Sequence, residues 1–415
     1  MVLHTAIYRL AISAYSLLIK IAANFNAKAA LFANGRKNLL KKIKTTLADK
    51  NAPRIWMHCA SLGEFEQGRP VLEALKQKYP SHEIVLTFFS PSGYEVRKNY
   101  KGADYVFYLP MDSKHNATAF LNLVQPALCI FVKYEFWYYY LSIMAERKIP
   151  AILISAIFHE NHPFFKPYGQ LHRAMLKSFQ HIFVQDAHSL QLLQNINITS
   201  ASISGDTRFD RVIEAVKNKE ELARAKEFAN GYKILVAGST WKEDEIFLEK
   251  VLQGLPRDWK MIVVPHEVGI SHIKDIEKLF AGRCVRWTDE YGDLSMRVLL
   301  VNQVGLLMSL YQYGTIAWIG GGFGKAGVHN VLEAAVYGMP CFYGPIFHQF
   351  IEAKELIEAG GAYTYKKPED LLKFINTIDE TNNLSTSVFA AKNYVLSKGG
   401  ATRSIVKYLE QNNFN

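Results

Sequence analysis

A chain of 415 residues, 49% apolar and 21% charged, has the length of two ordinary domains and a globular composition, which argues against a disordered or fibrous protein. Its four cysteines stand far apart, without C-x-x-C spacing or neighbouring histidine pairs, so we expect free thiols in a reducing cytoplasm and no metal site. The net charge of +10 is concentrated at one end, because residues 1–50 contain nine lysines and arginines and a single acidic residue.

The same end of the chain carries an apolar segment from Ala6 to Phe25, with aliphatic residues at helical spacing. Arg9 and Lys20 interrupt it, so a clean span of about 20 apolar residues is not met. We predict that residues 1–25 form a membrane-associating helix that lies in, or dips into, an anionic inner leaflet. A plain amphipathic core helix is the alternative. A cleaved signal peptide and a nucleic-acid partner are disfavoured, because neither a cleavage site nor a binding motif accompanies the segment.

From residue 54 onward, strand-like apolar runs alternate with helical segments, which is typical of parallel sheets in α/β proteins. A first series of strands ends before a charged connector at 211–231, and a second series follows it. The sequence therefore predicts two Rossmann-like, doubly wound domains that face a cleft, at 26–212 and 213–395. A C-terminal helix at 396–415 is expected to pack back on the first domain. Ligands are expected at the carboxyl ends of the strands.

A glycine-rich turn follows the second-series run TIAWI, and its glycines between positions 320 and 327 include Gly322 and Gly327. Bare backbone and a helix N-terminus, here predicted near Val328, both favour an anionic ligand such as a phosphate. Asn330 and Glu333 follow, and Glu333 is placed to reach the hydroxyls of a ribose. An ordinary strand-to-helix turn is the alternative.

The first strand of the chain ends in HCASLGE, where Ser61 and Gly63 form a small-residue turn and Glu64 stands at the start of a helix. A carboxylate there is stabilised as the anion by the helix dipole. Facing a cleft, it can act as a general base once substrate desolvates it. Helix capping is the competing interpretation, and Glu66 is the structural alternative in the same turn.

Two further segments end strands. In KYEFW, Glu135 is followed by aromatic residues, and either an ion pair with Lys133 or a substrate contact explains it. In VAGSTW, Ser239 and Thr240 are predicted to donate hydrogen bonds to a phosphate or sugar, with an N-cap as the alternative.

Taken in order, these segments resemble the bacterial 3-deoxy-D-manno-octulosonic acid (Kdo) transferases of glycosyltransferase family 30. The resemblance rests on GRK, HCASLGE, YLPMD, EFW, AGST and GGGF with GVHNVLEAAVYGMPCFYGP. It implies a GT-B fold and a metal-independent, inverting transferase without a cofactor. The implied reaction moves Kdo from CMP-Kdo to a lipid A precursor, lipid IVA, in lipopolysaccharide biosynthesis. The implied location is the cytoplasmic face of the bacterial inner membrane.

The resemblance also assigns residues. Glu64 matches the catalytic base of the acceptor-binding first domain, and Asn330 and Glu333 match positions that hold the donor in the second. On the acceptor side, or in support of it, we expect Ser61, Gly63, Lys133 and Glu135. On the donor side we expect Ser239, Thr240, Pro265, His266, Gly322, Gly327, Asn330 and Glu333.

The chain departs from the family pattern on the nucleotide side. Many members carry Pro-Arg-His where this chain has Pro265, His266 and Glu267, and THEGEE where it has TWKEDE. Another membrane-surface GT-B transferase that uses a UDP-sugar is therefore the alternative function. A non-catalytic protein that recruits a partner to the membrane is a second alternative, from a different class.

Overall fold

The computed structural model describes residues 2–48, 52–378, 383–412 and 414. The chain forms two units, the first from Met1–Arg211 with Gly399–Asn415 and the second from Val212–Lys398. Each unit contains one seven-stranded sheet in which every described strand pair is parallel. The alternation of strand and helix confirms the predicted pair of doubly wound α/β domains.

The sheet of the first unit has the strand order β3-β2-β1-β4-β5-β6-β7. Its strands are β1 Arg54–Cys59, β2 Glu83–Phe88, β3 Tyr105–Tyr108, β4 Pro126–Val132, β5 Ala151–Ala156, β6 His181–Val184 and β7 Ala201–Ile203. The order reverses between β1 and β4, so their carboxyl ends flank the crevice where doubly wound sheets bind ligands.

The helices that begin in the first unit before the connector are α1 Val2–Ala22, α2 Ala27–Asn34, α3 Leu39–Thr46, α4 Leu62–Lys78, α5 Pro91–Arg97, α6 Lys114–Val124, α7 Tyr138–Glu146, the 3-10 helix Pro163–Phe165, α8 Gln170–Leu176, α9 Ala187–Asn195 and α10 Thr207–Lys217. Because successive side chains of a strand point to opposite faces, β1 contributes to two cores. Trp56 packs with Phe120 of α6, and Met57 lies in the same cluster as Leu72 of α4.

The sheet of the second unit has the order β10-β11-β9-β8-β12-β13-β14. Its strands are β8 Lys233–Thr240, β9 Trp259–Pro265, β10 Cys284–Arg286, β11 Val298–Leu300, β12 Ile316–Ile319, β13 Cys341–Tyr343 and β14 Ala362–Thr364. Its helices are α11 Ala223–Ala229, α12 Lys242–Gly254, α13 Ile270–Leu279, α14 Leu307–Leu310, the 3-10 helix Tyr311–Tyr313, α15 Leu332–Ala335, α16 Ile351–Glu358, α17 Pro368–Thr377 and α18 Asn383–Ser397. Here the strand order reverses between β8 and β12.

The last helix, α19 Ala401–Gln411, belongs to the first unit. Its side chains Ile405 and Leu409 join the apolar cluster that α4 covers, and Glu410 pairs with Lys78. At its N-terminus the carboxylate of Asp210 accepts hydrogen bonds from the backbone of Gly400 and Thr402.

The N-terminal helix α1 contacts the first unit along one side only. Tyr8 donates a hydrogen bond to Asp112, and the ring of Tyr15 packs against Phe32 and Phe89. By length and composition, Leu3–Ala22 is apolar enough to cross a membrane. Its other side exposes large apolar residues at helical spacing, namely Leu3, Ile7, Leu10, Leu17, Leu18 and Ile21.

Arg36 of the GRK segment fixes the chain after α2 to the strand ends. Its guanidinium donates to the carbonyl oxygens of Leu109 at 2.9 Å, Phe89 at 2.6 Å and Phe32 at 3.2 Å. Burial lowers the pKa of Arg36 to about 10. Its donors are therefore used inside the protein, whereas Lys37 is exposed.

Candidate functional site

The two predicted acceptor-side segments meet at the strand-order reversal of the first unit. HCASLGE leaves the carboxyl end of β1 and KYEFW leaves that of β4, and the two strands are hydrogen-bonded neighbours. Lys133 has a φ of 65°, in the left-handed region that costs energy for a residue with a side chain. Such strain at a strand end is frequent at functional sites.

Glu64 lies in the first turn of α4 and is partly exposed. Ser61 is the N-cap residue, yet its side chain makes no bond to the helix backbone and instead donates to the Glu64 carboxylate. Gly63 beside it is exposed. Among the residues that the structure describes, Glu64 forms no ion pair.

Glu66, two residues further along α4, has a structural role. Its carboxylate lies 2.7 Å from Nη2 of Arg97 and 2.8 Å from Nη1 of Arg211. The two glutamates of this turn therefore differ, because Glu66 is paired with two cations while Glu64 contacts a hydroxyl.

Glu135 is buried and forms a network with His58 and Trp137. Its Oε2 lies 2.8 Å from His58 Nε2 and accepts a 2.7 Å hydrogen bond from Trp137 Nε1. Of the two alternatives for Glu135, the ion pair with Lys133 is not found among the described ion pairs, where Glu135 lies against His58 of β1 instead.

His58 is fully buried and links this network to the neighbouring strand. Its Nδ1 lies 2.9 Å from Thr87 Oγ1 and 3.2 Å from the Thr87 carbonyl oxygen. Trp56 Nε1 donates to the same Thr87 hydroxyl at 2.8 Å. Both ring nitrogens of His58 therefore have a polar partner inside the protein. Sequence reasoning missed this histidine, although it opens the HCASLGE segment.

Tyr134 lies at the same edge, with part of its ring exposed. Burial raises the pKa of Tyr134, and the negative charges of Asp186 and Glu64 raise it further. The ring of His162, which follows β5, packs edge-on against it at 5.7 Å. Glu64 therefore lies close enough to Tyr134 for its charge to act on the phenol.

In the second unit, AGST and the glycine turn meet at the reversal between β8 and β12. Gly320 donates its backbone N–H to Gly238, and a Cβ on Gly320 would lie 2.2 Å from the carbonyl oxygen of Ser239. Only glycine allows this approach. Ser239 has a φ of 54° and is partly exposed. Within the described part of the chain its hydroxyl has no hydrogen-bond partner, whereas buried Thr240 donates its hydroxyl to Glu245 at 3.1 Å.

Asp244 holds the glycine turn and was not singled out from the sequence. Its carboxylate accepts from Gly321 N at 2.8 Å, Trp241 N at 3.0 Å and Trp318 Nε1 at 3.1 Å. Burial raises the pKa of Asp244, and these three hydrogen bonds oppose that rise. The sequence did contain a signal for this residue. Asp244 stands three positions after Trp241, the residue that precedes α12, and an acidic residue at that position is typical of a capping box.

Trp241, His266 and His329 form an aromatic cluster beside the turn. The His266 ring stacks on Trp241 at 4.7 Å and on His329 at 4.5 Å, and Trp241 Nε1 donates to His329 Nε2 at 2.8 Å. Burial lowers the pKa of His329 to about 4, with a further contribution from His266. His266 follows Pro265 at the end of β9, so these predicted donor-side residues lie beside Ser239.

The helix after the glycine turn is shorter than expected. It begins at Leu332, and the predicted start near Val328 is wrong. The Asn330 side chain accepts from Leu332 N at 3.1 Å, so a local side-chain bond competes with the helix there. Asn330 Nδ2 donates to Glu333 Oε1 at 3.1 Å, and Glu333 lies in the first turn of α15.

The remaining predicted glycines are fixed by geometry. Gly327 has a φ of 80°, and Gly322 packs directly on the backbone of Gly344, where a Cβ would lie 2.5 Å from the nitrogen. Gly322 and Gly327 are both buried, so close packing fixes the backbone of the turn between β12 and β13. Among the described residues, no group of three or more His, Cys, Asp or Glu side chains is arranged to hold a metal ion.

A family model and several relatives point to the same family. A family model described as "3-Deoxy-D-manno-octulosonic-acid transferase (kdotransferase)" matches residues 34–211. The 3-deoxy-D-manno-octulosonic acid transferase of Aquifex aeolicus is 29% identical over 74% of this chain and 80% of its own length. That of Haemophilus influenzae is 28% identical over 77% of this chain and 77% of its own length.

A solved structure supports the fold. UDP-GlcNAc 2-epimerase from Neisseria meningitidis superimposes with a TM-score of 0.61 and 16% identity, over 86% of this chain and 100% of that chain. At this identity the likeness shows the fold alone. It confirms the GT-B fold class of two Rossmann-like domains.

Proposed function

We propose that the chain is a bacterial Kdo transferase of lipopolysaccharide biosynthesis, which its matches to that family support, and from this premise we propose its reaction in detail. The donor is CMP-Kdo and the acceptor is a lipid A precursor, lipid IVA. Transfer inverts the anomeric configuration of Kdo. The observation that carries the proposal is the position of the four family segments, two at each strand-order reversal.

Glu64 is the proposed general base. It takes the proton of an acceptor hydroxyl while that oxygen forms a bond to the anomeric carbon of Kdo and the bond from that carbon to the CMP phosphate breaks. Two features support this role. Its carboxylate contacts only a hydroxyl among its described hydrogen bonds, and it lies at the N-terminus of α4, where the dipole stabilises the anion. Ser61 orients the carboxylate.

Glu135 and Lys133 are proposed to support the acceptor side. Glu135 is held by His58 and Trp137, so it offers a carboxylate in a fixed position at the end of β4. Lys133 follows β4 in a strained conformation that its neighbours maintain.

The second unit is proposed to bind CMP-Kdo. The Ser239 hydroxyl and the backbone of the turn that contains Gly322 and Gly327 are suited to hydrogen-bond the phosphate, which leaves with the electron pair of the broken bond. Thr240 supports this turn through Glu245. We assign Asn330 and Glu333, which are hydrogen-bonded to each other, to the ribose side. Pro265 and His266 are assigned to the base side. No metal ion or cofactor is needed for this step, because backbone donors can stabilise the leaving anion.

We propose that the enzyme works at the cytoplasmic face of the bacterial inner membrane. The exposed apolar side of α1 would enter the interface between lipid headgroups and acyl chains. Exposed lysines follow α1 along the chain, among them Lys37, Lys41, Lys42 and Lys44. Each basic residue near an anionic surface contributes about 1 kcal/mol.

Kdo transfer to lipid IVA by the Glu64→Gln variant tests the assignment of the base. We expect a rate loss of at least about 10³-fold with unchanged protection by CMP in thermal unfolding. The matched control is Glu66→Gln in the same turn, which keeps hydrogen-bond acceptors for both arginines and should retain activity.

Near-normal transfer by Glu64→Gln would remove this residue as the base. A donor test accompanies it, because CMP should protect wild type at concentrations where UDP does not. Protection by UDP instead would favour the UDP-sugar alternative. Flotation of wild type with anionic but not neutral vesicles tests the membrane proposal.

A further inference from the structure

Tyr8 of the N-terminal helix makes a buried polar contact with the catalytic unit. Its hydroxyl donates to Asp112 Oδ2 at 2.6 Å, and it also accepts from the backbone N–H of Tyr138 at 3.4 Å. The Tyr8 ring packs edge-on against the Tyr138 ring at 5.8 Å. A helix that served only as a lipid anchor would not need this contact.

Asp112, from the YLPMD segment, is 1% exposed and caps α7. Its carboxylate accepts hydrogen bonds from the backbone N–H groups of Tyr139 at 3.1 Å and Tyr140 at 3.3 Å. Because these groups lie in the first turn of α7, they have no partner within the helix itself. Burial raises the pKa of Asp112 to about 6, and the hydrogen bonds from Tyr8 and these amides oppose that rise. Removing one donor from a buried carboxylate leaves it undersatisfied.

The helix that Asp112 caps starts directly after the KYEFW segment. Trp137 is the N-cap residue of α7, and its indole holds Glu135. A continuous series of contacts therefore runs from Tyr8 in α1, through Asp112 and the first turn of α7, to the buried carboxylate at the end of β4.

We propose that Tyr8 is a positioning residue for transfer, because it fixes the start of α7 and with it Trp137 and Glu135. On this proposal α1 contributes to turnover as well as to membrane binding. The inference rests on the proposed function, since turnover is its main readout.

The test compares Tyr8→Phe with Tyr15→Phe in full-length protein. Both variants remove one hydroxyl from α1 and keep the ring. Tyr15 packs on Phe32 and Phe89 through its ring, and within the described residues its hydroxyl has no hydrogen-bond partner. We expect Tyr8→Phe to lower kcat for Kdo transfer in detergent micelles roughly 10-fold, with little change in KM for CMP-Kdo. Tyr15→Phe should match wild type.

Two further measurements separate positioning from anchoring. Flotation with anionic vesicles should be equal for both variants. Hydrogen exchange should accelerate at the amides of Tyr139 and Tyr140 in Tyr8→Phe only.

The double variant Tyr8→Phe with Asp112→Asn should lose no more activity than the worse single variant, because both changes break one series of contacts.

Equal kcat for the two tyrosine variants would overturn the proposal, and so would a loss of activity that simply follows lost vesicle binding. If wild type transfers no Kdo, the proposed function fails instead. Hydrogen exchange then still decides whether Tyr8 holds the start of α7.

Discussion

The contact between His58 and Glu135 predicts a large and non-additive effect on the stability of the first unit. His58 is 0% and Glu135 7% exposed, and 2.8 Å separates His58 Nε2 from Glu135 Oε2. In His58→Leu the carboxylate keeps only the Trp137 indole and loses its contact with the imidazole. Leaving a buried carboxylate without this hydrogen-bond partner costs about 3 kcal/mol or more.

Removing both partners should cost less than the separate effects suggest. In His58→Leu with Glu135→Met, no buried charge is left alone and the volumes are nearly kept, so a coupling free energy of at least about 2 kcal/mol is expected. Trp137→Phe is the comparison for a single hydrogen bond to the carboxylate. It should cost about 1.5 to 3 kcal/mol.

Hydrogen exchange read by mass spectrometry measures these costs in each unit separately. Amides of β1, Arg54–Cys59, should exchange roughly 10² to 10³ times faster in His58→Leu, since each 1.4 kcal/mol is about a factor of ten. Amides of β8 in the second unit are the internal control and should not change. Additive single and double variants, with coupling below about 0.5 kcal/mol, would refute the interaction between these two side chains.

Two further predictions concern the second unit. Gly320→Ala places a Cβ 2.2 Å from the Ser239 carbonyl oxygen, so it should lower the free energy of unfolding by about 1 to 3 kcal/mol and abolish protection by CMP. The control is Gly269→Ala, which has no atom within 4 Å of its Cβ and should change stability by less than about 0.5 kcal/mol. Equal melting temperatures for the two variants would contradict the packing argument. Since the pKa of His329 is lowered to about 4, the unfolded state binds a proton there that the folded state does not, so stability is lost as pH falls below 6.5. Between pH 7 and pH 5 this loss should be about 2 kcal/mol, and it should be missing from His329→Gln in denaturant titrations at both pH values.

The sequence predicted the parts of the fold that depend on local pattern. Continuous apolar runs such as ALCIFV and KILVAG mark strands buried on both faces, and strands separated by helices imply a parallel sheet. Segments at neighbouring strand ends could then be grouped, which placed Glu64, Glu135 and the glycine turn at the two reversals.

Partnerships across the chain were not predictable in this way. The bonds of Tyr8 to Asp112 and of Asp244 to Gly321 join residues 104 and 77 positions apart, and they depend on register and helix orientation that no local pattern encodes. An ion pair of Glu135 with Lys133 was one of two alternatives, suggested by proximity in sequence, whereas Glu135 lies against His58, 77 positions away on a neighbouring strand. The start of α15 was misplaced because the Asn330 side chain competes for a backbone N–H.

The first unit is assembled from both ends of the chain, and this fixes an order of events during synthesis. The apolar face of α4 is completed by Ile405 and Leu409, so it stays uncovered on the ribosome until the whole second unit has been made. A fragment that stops at Arg211 would expose that face and aggregate. Because Asp210 is hydrogen-bonded to Gly400 and Thr402, residues 399–415 could be rejoined to 211 through a short linker to give a first unit that folds separately.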